Sequence, residues 1–236
     1  MEALGYLAFG DTGWSDEIAG GVLITASLAL ATLPIGLAIG FFLALAKQSR
    51  EETLRLAADV YTTIFRGLPE LLTIFMVYYG MQIGIRQLSL ALGFEGGFEI
   101  NAFIAGMIAL AVVFSSFASE VFLSAFRAIP AGQYEAGDAL GLSRWQTMRT
   151  IIAPQLIRIA LPGLGNLWLI LLKDTAYISV IGLSDIMRQA GIAARVTKEA
   201  FLFFGIACLL YLILAVLSSV VFSRIERAAR RSEARA

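Results

Sequence analysis

Glu135-Ala136-Gly137-Asp138-Ala139-Leu140-Gly141, followed by Ile151-Ile152-Ala153-Pro154, is a short polar segment set between long apolar stretches. An acidic-Ala-small triplet, a glycine four residues after it and a distal Ile-x-x-Pro read as a helix, a tight turn and a second helix. Glu135 is expected in the first turn of that helix, where its charge complements the helix dipole. Gly141 can adopt φ > 0 and end it. Arg144, Trp145 and Gln146 begin the next helix. A compact helix–turn unit kept outside the lipid is suited to touching another protein.

What surrounds this segment is strongly apolar. Of 236 residues 58% are hydrophobic and only 15% charged, and the mean hydropathy is +0.79. Soluble domains carry about a quarter charged residues, so the composition fits an integral membrane protein. The net charge is zero, which gives no field favouring nucleic acid. The absence of histidine removes a Ser–His–Asp triad and histidine zinc motifs. The single cysteine, Cys208, lies in an apolar run and gives no disulfide framework. The first apolar run lacks a basic leader and is too long for a signal-peptide core, so no removable signal is expected.

A membrane helix needs about 20 apolar residues. Uncharged or nearly uncharged runs place spans at 18–46, 59–85, 100–119 (continuing to about Ala125), 159–172 and 200–223. Span two carries Asp59, Arg66 and Glu70, and span four is interrupted by Lys173-Asp174. Five spans put the termini on opposite sides. Lys47, Arg50, Arg55, Arg66, Arg127, Arg144, Arg149, Arg158 and the arginines from Arg224 onward fall on one side; Arg86, Arg188, Arg195 and Lys198 fall on the other. The positive-inside rule therefore sets the N-terminus outside and the C-terminus in the cytoplasm. The expected layout is an external segment 1–17, a membrane domain 18–225 with a cytoplasmic loop at about 127–155, and a basic tail 226–236. Glu51–Arg55 reads as a charged hinge, and Gly93–Gly97 and Gly182–Gly191 as outer loops. No internal repeat is evident.

Pro34, Pro69, Pro154 and Pro162 are expected to kink their helices, either shaping a bundle or acting as hinges. Gly36 and Gly40 allow close helix approach. Charges within spans mark a function or a partner. Helical rise puts Glu70 about 16 Å into span two, near mid-depth. Glu70, Glu120 (beside Ser119) and Asp174 could hold the cationic end of a substrate. Lys173 could meet a carboxylate, and Thr175 follows it. The alternative is that these charges pair with each other or with a second subunit, and the adjacency of Lys173 and Asp174 suggests local balance. Arg66 is expected at the inner face, snorkelling or tying span two to the loop.

The loop resembles that of ATP-binding-cassette importer permeases, whose pattern is Glu-Ala-Ala-x3-Gly-x9-Ile-x-Leu-Pro. Gly137 and Ala153 depart from it, and Gly137 is expected to loosen the helix by up to ~1 kcal/mol. Phe65-Arg66-Gly67-Leu68-Pro69-Glu70-Leu71-Leu72, Ala128-Ile129-Pro130-Ala131-Gly132-Gln133-Tyr134, Pro154-Gln155, Leu172-Lys173-Asp174-Thr175 and Val180-Ile181-Gly182-Leu183 resemble polar amino acid permeases. Within these, the likeness is to the Q-type subunit of histidine/lysine/arginine/ornithine and opine importers. Ala176 stands where that family usually has Ser.

The resemblance implies an all-α, five-span type I importer permease fold with a cytoplasmic coupling helix in a bacterial inner membrane. It implies contact with a separate ATPase through Glu135, Ala136, Gly137, Asp138, Gly141 and Arg144. It implies partners as well: a cytoplasmic ATPase dimer that carries ATP-Mg, a second related permease and a periplasmic solute-binding protein. No phosphate-loop motif occurs in the sequence, so no ATP hydrolysis and no cofactor are expected in this chain. The competing readings are a self-sufficient secondary transporter or channel, which five spans without an inverted repeat do not favour, and an intramembrane enzyme, for which no catalytic spacing is evident.

Overall fold

The computed structural model describes residues 5–10, 13–93 and 100–231. Its helices are α1 (Ser15–Lys47), α2 (Glu52–Gly67), α3 (Glu70–Ala91), α4 (Ala102–Ala128), α5 (Ala131–Ala139), α6 (Arg144–Thr147), α7 (Ala153–Asp174), α8 (Ile186–Thr197) and α9 (Ala200–Arg231). A π-helical turn, Met148–Ile152, joins α6 to α7, and a 3-10 turn, Thr175–Ile181, follows α7. The fold is all-α.

Four helical stretches are long and apolar enough to cross a membrane: Ser15–Lys47, Ala102–Ala128, Arg144–Ile181 and Ala200–Ala229. The α2–α3 pair makes a fifth when counted as one broken span. The centre is the contact of α1 with α4. On α1 a stripe of small residues (Gly21, Thr25, Ala29, Thr32, Gly36, Gly40) is buried. It recurs every three or four residues, so it lies along one helical face. Such residues let two helix backbones approach closely where no hydrophobic force drives helices together in lipid. A Cβ on Gly40 would stand 2.8 Å from Ala118 Cβ and 3.0 Å from the Ser115 carbonyl oxygen, so only glycine fits. The serines that α4 presents here keep their hydroxyls satisfied within the helix: Ser116 donates to the Val113 carbonyl and Ser119 to that of Ser116. A second, smaller core gathers Ile18, Ile186, Ala190, Ala193, Phe203 and Ala207 where α8 meets α1 and α9.

Several expectations are corrected. Span two is not one helix over 59–85; α2 and α3 meet at 115°. Pro69 forces Leu68 into an extended conformation (φ −92°, ψ 149°) and offers no N–H, so helix ends before it and restarts after it. Glu70 is therefore the first residue of α3, not a group 16 Å along a continuous span. Lys173-Asp174 does not interrupt span four: Arg144–Ile181 runs through it as a single rod whose helix type changes at Thr175. Pro34 and Pro162 lie inside unbroken helices. Pro154 follows the π turn, whose widened spacing accommodates its missing N–H.

The segment Gly182–Gly191 is not a plain loop. Its second half begins α8, whose buried Ile186, Ala190, Ala193 and Ala194 give an apolar face at helical period. The charged hinge shrinks to the turn before Glu52, since Glu52 to Arg55 are helical. The expected outer loop at Gly93–Gly97 falls largely outside the described residues.

Candidate functional site: the polar turn and the intramembrane charges

The polar segment folds as a helix–turn–helix with both ends locked. Pro130 opens α5, and Gly141 (φ +69°) closes it. The Gly141 N–H donates to the Asp138 carbonyl and the Leu142 N–H to that of Gly137, each at 3.0 Å. This is the two-bond Schellman closure. Ser143 then starts α6 with a reciprocal capping box: the Gln146 N–H donates to Ser143 Oγ (3.3 Å) and the Ser143 N–H to Gln146 Oε1 (2.8 Å). That Ser-x-x-Gln signature was readable in the sequence and completes the turn. Glu135 lies beyond the first turn of α5, contrary to expectation.

Gly137 is the residue of α5 that is buried. A Cβ there would meet Thr147 Oγ1 at 2.4 Å, so the bare glycine seats α5 against the start of the rod. Gln155 Nε2 donates to Gln133 Oε1 at 3.0 Å, a second tie between α5 and α7. Glu135, Ala136 and Asp138 are exposed, as are Leu140 (75%) and Trp145 (71%). The unit is thus rigidly joined to α7 on one side and bare on the other.

The intramembrane charges separate into two groups. Glu70 and Asp174 line one narrow cavity with Ile74, Leu110, Phe114 and Leu171. Lys173 is exposed, and no ion pair joins it to Asp174 among the described residues. Thr175 is fully buried and its hydroxyl donates to the Leu172 carbonyl.

Glu120 belongs elsewhere. Lys47 Nζ reaches its carboxylate at 2.5 Å and Arg66 at 3.2 Å, and Lys47 also pairs with Asp59 at 3.4 Å. The Lys47 side chain is only 5% exposed, so these carboxylates compensate a cation that could not stay buried alone. Arg66 also lies over the Phe117 ring, 5.8 Å from its centroid. It ties α2 to α4 rather than to the loop. Tyr61 adds a contact from α2 to Ser115 Oγ at 2.9 Å. Sequence reading missed the Lys47 and Asp59 partnership.

It also missed Asp185. This fully buried residue caps α8 by accepting the Arg188 N–H at 2.9 Å. Burial pushes its carboxyl up to about 6, against the downward pull of the backbone N–H bonds it accepts.

Comparison with known proteins identifies the family. Residues 36–231 match the family of the binding-protein-dependent transport system inner membrane component. The nopaline transport system permease protein NocQ of Agrobacterium fabrum is 42% identical over 95% of this chain and 96% of its own length. The arginine ABC transporter permease protein ArtQ of Escherichia coli is 36% identical over 90% of this chain and 94% of its own. The histidine/lysine/arginine/ornithine transport system permease protein HisQ of Salmonella typhimurium is 36% identical, covering 91% of this chain and 94% of itself. Among solved structures, an amino acid ABC transporter crystallised with histidines superimposes with a TM-score of 0.76 at 32% identity, covering 91% of this chain and 95% of that one. The inward-facing methionine transporter MetNI shares the fold, with a TM-score of 0.72 at 18% identity over 90% of this chain and 96% of that one. These matches exclude a self-sufficient secondary transporter: the chain belongs to the binding-protein-dependent transport system inner membrane component family and is a non-catalytic permease component of an ATP-binding-cassette importer.

Proposed function

We propose that this permease imports basic amino acids or opines. The observation that carries the reading is near full-length similarity to NocQ, ArtQ and HisQ, whose names specify nopaline, arginine and histidine/lysine/arginine/ornithine transport. The nearness of Glu70 and Asp174, which line one narrow cavity, supports it, because two intramembrane carboxylates suit the cationic end of such a solute once the path opens. In this reading Glu70 and Asp174 contact the solute and Lys173 meets its carboxylate. Glu120 shapes the path by joining α4 to α1 and α2 through Lys47 and Arg66, and Ser119 and Thr175 line it with hydroxyls bonded inside their own helical segments.

The exposed face of α5, with Glu135, Ala136 and Asp138, and the turn through Gly141 to Arg144 dock on a cytoplasmic ATPase dimer, which holds the ATP-Mg. A second related permease and a periplasmic binding protein complete the complex in the bacterial inner membrane. The N-terminus is periplasmic and the C-terminus cytoplasmic, as the basic residues after α1, in the loop between α4 and α7 and in the tail indicate. The two nucleotide states of the ATPase bind the two bundle conformations unequally, and that difference drives the alternation.

The test is uptake of labelled arginine and of an opine in cells whose ATP is depleted while the proton gradient is held. Uptake should vanish, and Glu70→Gln with Asp174→Asn should raise KM for the cationic solutes about tenfold. Uptake that persists without ATP overturns the energetic reading; unchanged KM in both variants overturns the solute path.

A further inference from the structure

Helix α2 carries three faces along its 16 residues. Ala58 and Thr62 are buried and seat it across α1 and α4. Glu52, Arg55, Asp59 and Arg66 recur at helical period and share a second face. Leu56, Val60 and Ile64 are exposed at four-residue spacing and form an apolar stripe on the far side from Ala58. At 1.5 Å per residue α2 is about 24 Å long, too short for the ~30 Å of hydrocarbon, whereas the 22 residues of α3 extend about 33 Å. The two helices meet at a bend of 115°. With α3 crossing at an ordinary tilt of about 20°, α2 lies nearer the membrane plane than the membrane normal.

Packing along the bundle sets the depth of α2. The uncharged run of α9 ends at Arg224, which marks where the hydrocarbon ends. Phe222, two residues earlier, packs on Gly165 of α7, 3.1 Å from where a Cβ would stand. Gly163 of α7 meets Val121 of α4, 2.8 Å from its own Cβ position. The edge of the hydrocarbon therefore passes α4 next to Glu120. Glu120 pairs with Lys47 and with Arg66 of α2, and Lys47 pairs with Asp59 of α2. One layer of charge at the hydrocarbon edge thus holds α2 at both Asp59 and Arg66.

We propose that α2 lies in the plane of the membrane interface, with Leu56, Val60 and Ile64 embedded among lipid chains, and that α3 alone is the second span. A short helix with a charged face beside an apolar one is the form that settles at a lipid–water boundary. Lipid is the occupant of the stripe, rather than a protein groove, because the ion pairs of Asp59 and Arg66 already hold the helix at the depth where that boundary lies. Glu52 and Arg55 then turn to water. The boundary is the one that the α9 arginines mark, the cytoplasmic one in the orientation proposed above, and the in-plane placement holds for either orientation. Seated there, α2 fixes the depth of α1 through Asp59 and of α4 through Arg66. Either helix can shift across the membrane only by dragging the stripe out of lipid or by giving up an ion pair.

The experiment uses the whole transporter complex in phospholipid discs, assembled from cysteine-free subunits with Cys208→Ser in this chain. Spin labels are placed singly through Leu56→Cys, Val60→Cys and Ile64→Cys, with Arg55→Cys as the reference. All four side chains are exposed, so the substitutions remove no packing. Depth is read from competition between oxygen, which concentrates in lipid, and a water-soluble nickel chelate. If α2 crossed the membrane, the labels at 56 and 64 would differ in depth by about 12 Å. An in-plane α2 keeps all three in oxygen-rich lipid within half that spread and leaves the label at 55 open to the chelate. A larger spread overturns the placement. Labels at 56, 60 and 64 shielded from both reagents would put a protein partner on the stripe, and labels open to the chelate would put the stripe in water; either result also overturns it. The depths do not depend on which solute is carried, so a failure of the uptake experiment leaves this test intact.

Discussion

The α1–α4 seam and the α5–α6 turn lie close together yet solve opposite problems. The seam is built from residues with almost no side chain, and its polar atoms are satisfied within a helix or by partners across it. The turn shows Leu140 and Trp145 to solvent, and its described hydrogen bonds are spent on fixing its own shape. Close packing makes the first region intolerant of any added volume. The second is intolerant only of changes to its backbone geometry, while its outward side chains are free to serve a contact. A lever needs this division: a stiff body, a stiff joint and a bare end.

The largest expected effect tests the stiff body. Gly40→Leu drives side-chain atoms into Ala118 and the Ser115 backbone, and backbone cannot yield as a rotamer can. Overpacking of this kind should cost above about 3 kcal/mol, read as a fall in the thermal midpoint in detergent and in the yield of folded protein. A midpoint within two degrees of wild type would show that the seam breathes, and the contrast with the turn would collapse.

Next comes the N-terminal end of α1 in the same body, where Gly21 passes so close to Asp185 that a Cβ would lie 2.9 Å from its carbonyl carbon. The Asp185 carboxyl titrates at about 6 when folded, against an ordinary 3.8. Because the folded value is raised, the folded state holds the proton more tightly. Its stabilisation is complete below about pH 4 and is lost as the pH rises through about 6, a change of roughly 3 kcal/mol at 1.36 kcal/mol per unit. Thermal midpoints recorded from pH 4 to 7 should decline, and Asp185→Asn, which keeps an N-cap side chain, should flatten that decline. An equal slope in the variant would assign the pH response to another group.

A smaller effect is expected at the joint. Gly141 has φ +69°, where an L side chain costs roughly 1–2 kcal/mol. Gly141→Ala should lower stability by about 1 kcal/mol in denaturant unfolding, yet reduce coupling of ATP hydrolysis to uptake more than that figure suggests, because the turn carries the angle between α5 and the rod. Coupling that falls no more than stability would mean the angle is not transmitted.

How much of this was legible in advance follows the same division. The spans could be read because hydrocarbon tolerates so few charges that uncharged runs such as 100–119 stand out. Gly141 and the helix–turn–helix were legible because φ > 0 and capping chemistry are local. The break at Pro69 was visible as a proline but not as a 115° bend: Pro34 and Pro162 are also prolines and leave their helices unbroken. What differs is where the chain goes on either side: both α2 and α3 pack on α4, but α2 also packs on α1 and α3 on the 3-10 turn after α7, which is tertiary information. The role of Glu120 was hidden because its partner Lys47 is 73 residues away, and no spacing rule reaches that far. Helix α8 went unread for a correctable reason: Ile186, Ala190, Ala193 and Ala194 have helical period, but two glycines at 182 and 191 suggested a loop.

The smallest expected effect on the fold is the most decisive for the comparison. Glu135 is exposed on α5 and makes no ion pair among the described residues. Glu135→Lys should therefore change stability by no more than about 0.5 kcal/mol, as surface substitutions generally do. Membrane insertion and the thermal midpoint should match wild type. Co-purification of the ATPase should nonetheless be lost, because a reversed charge pressed into a partner's groove must be desolvated against its own kind. If the variant keeps its ATPase, the bare face of α5 is only solvated surface and the lever has no grip there. If it loses both ATPase and stability, the turn is part of the core and the division between the two regions is false. Only an intact fold without its ATPase satisfies a structure in which immobility and contact are assigned to different residues.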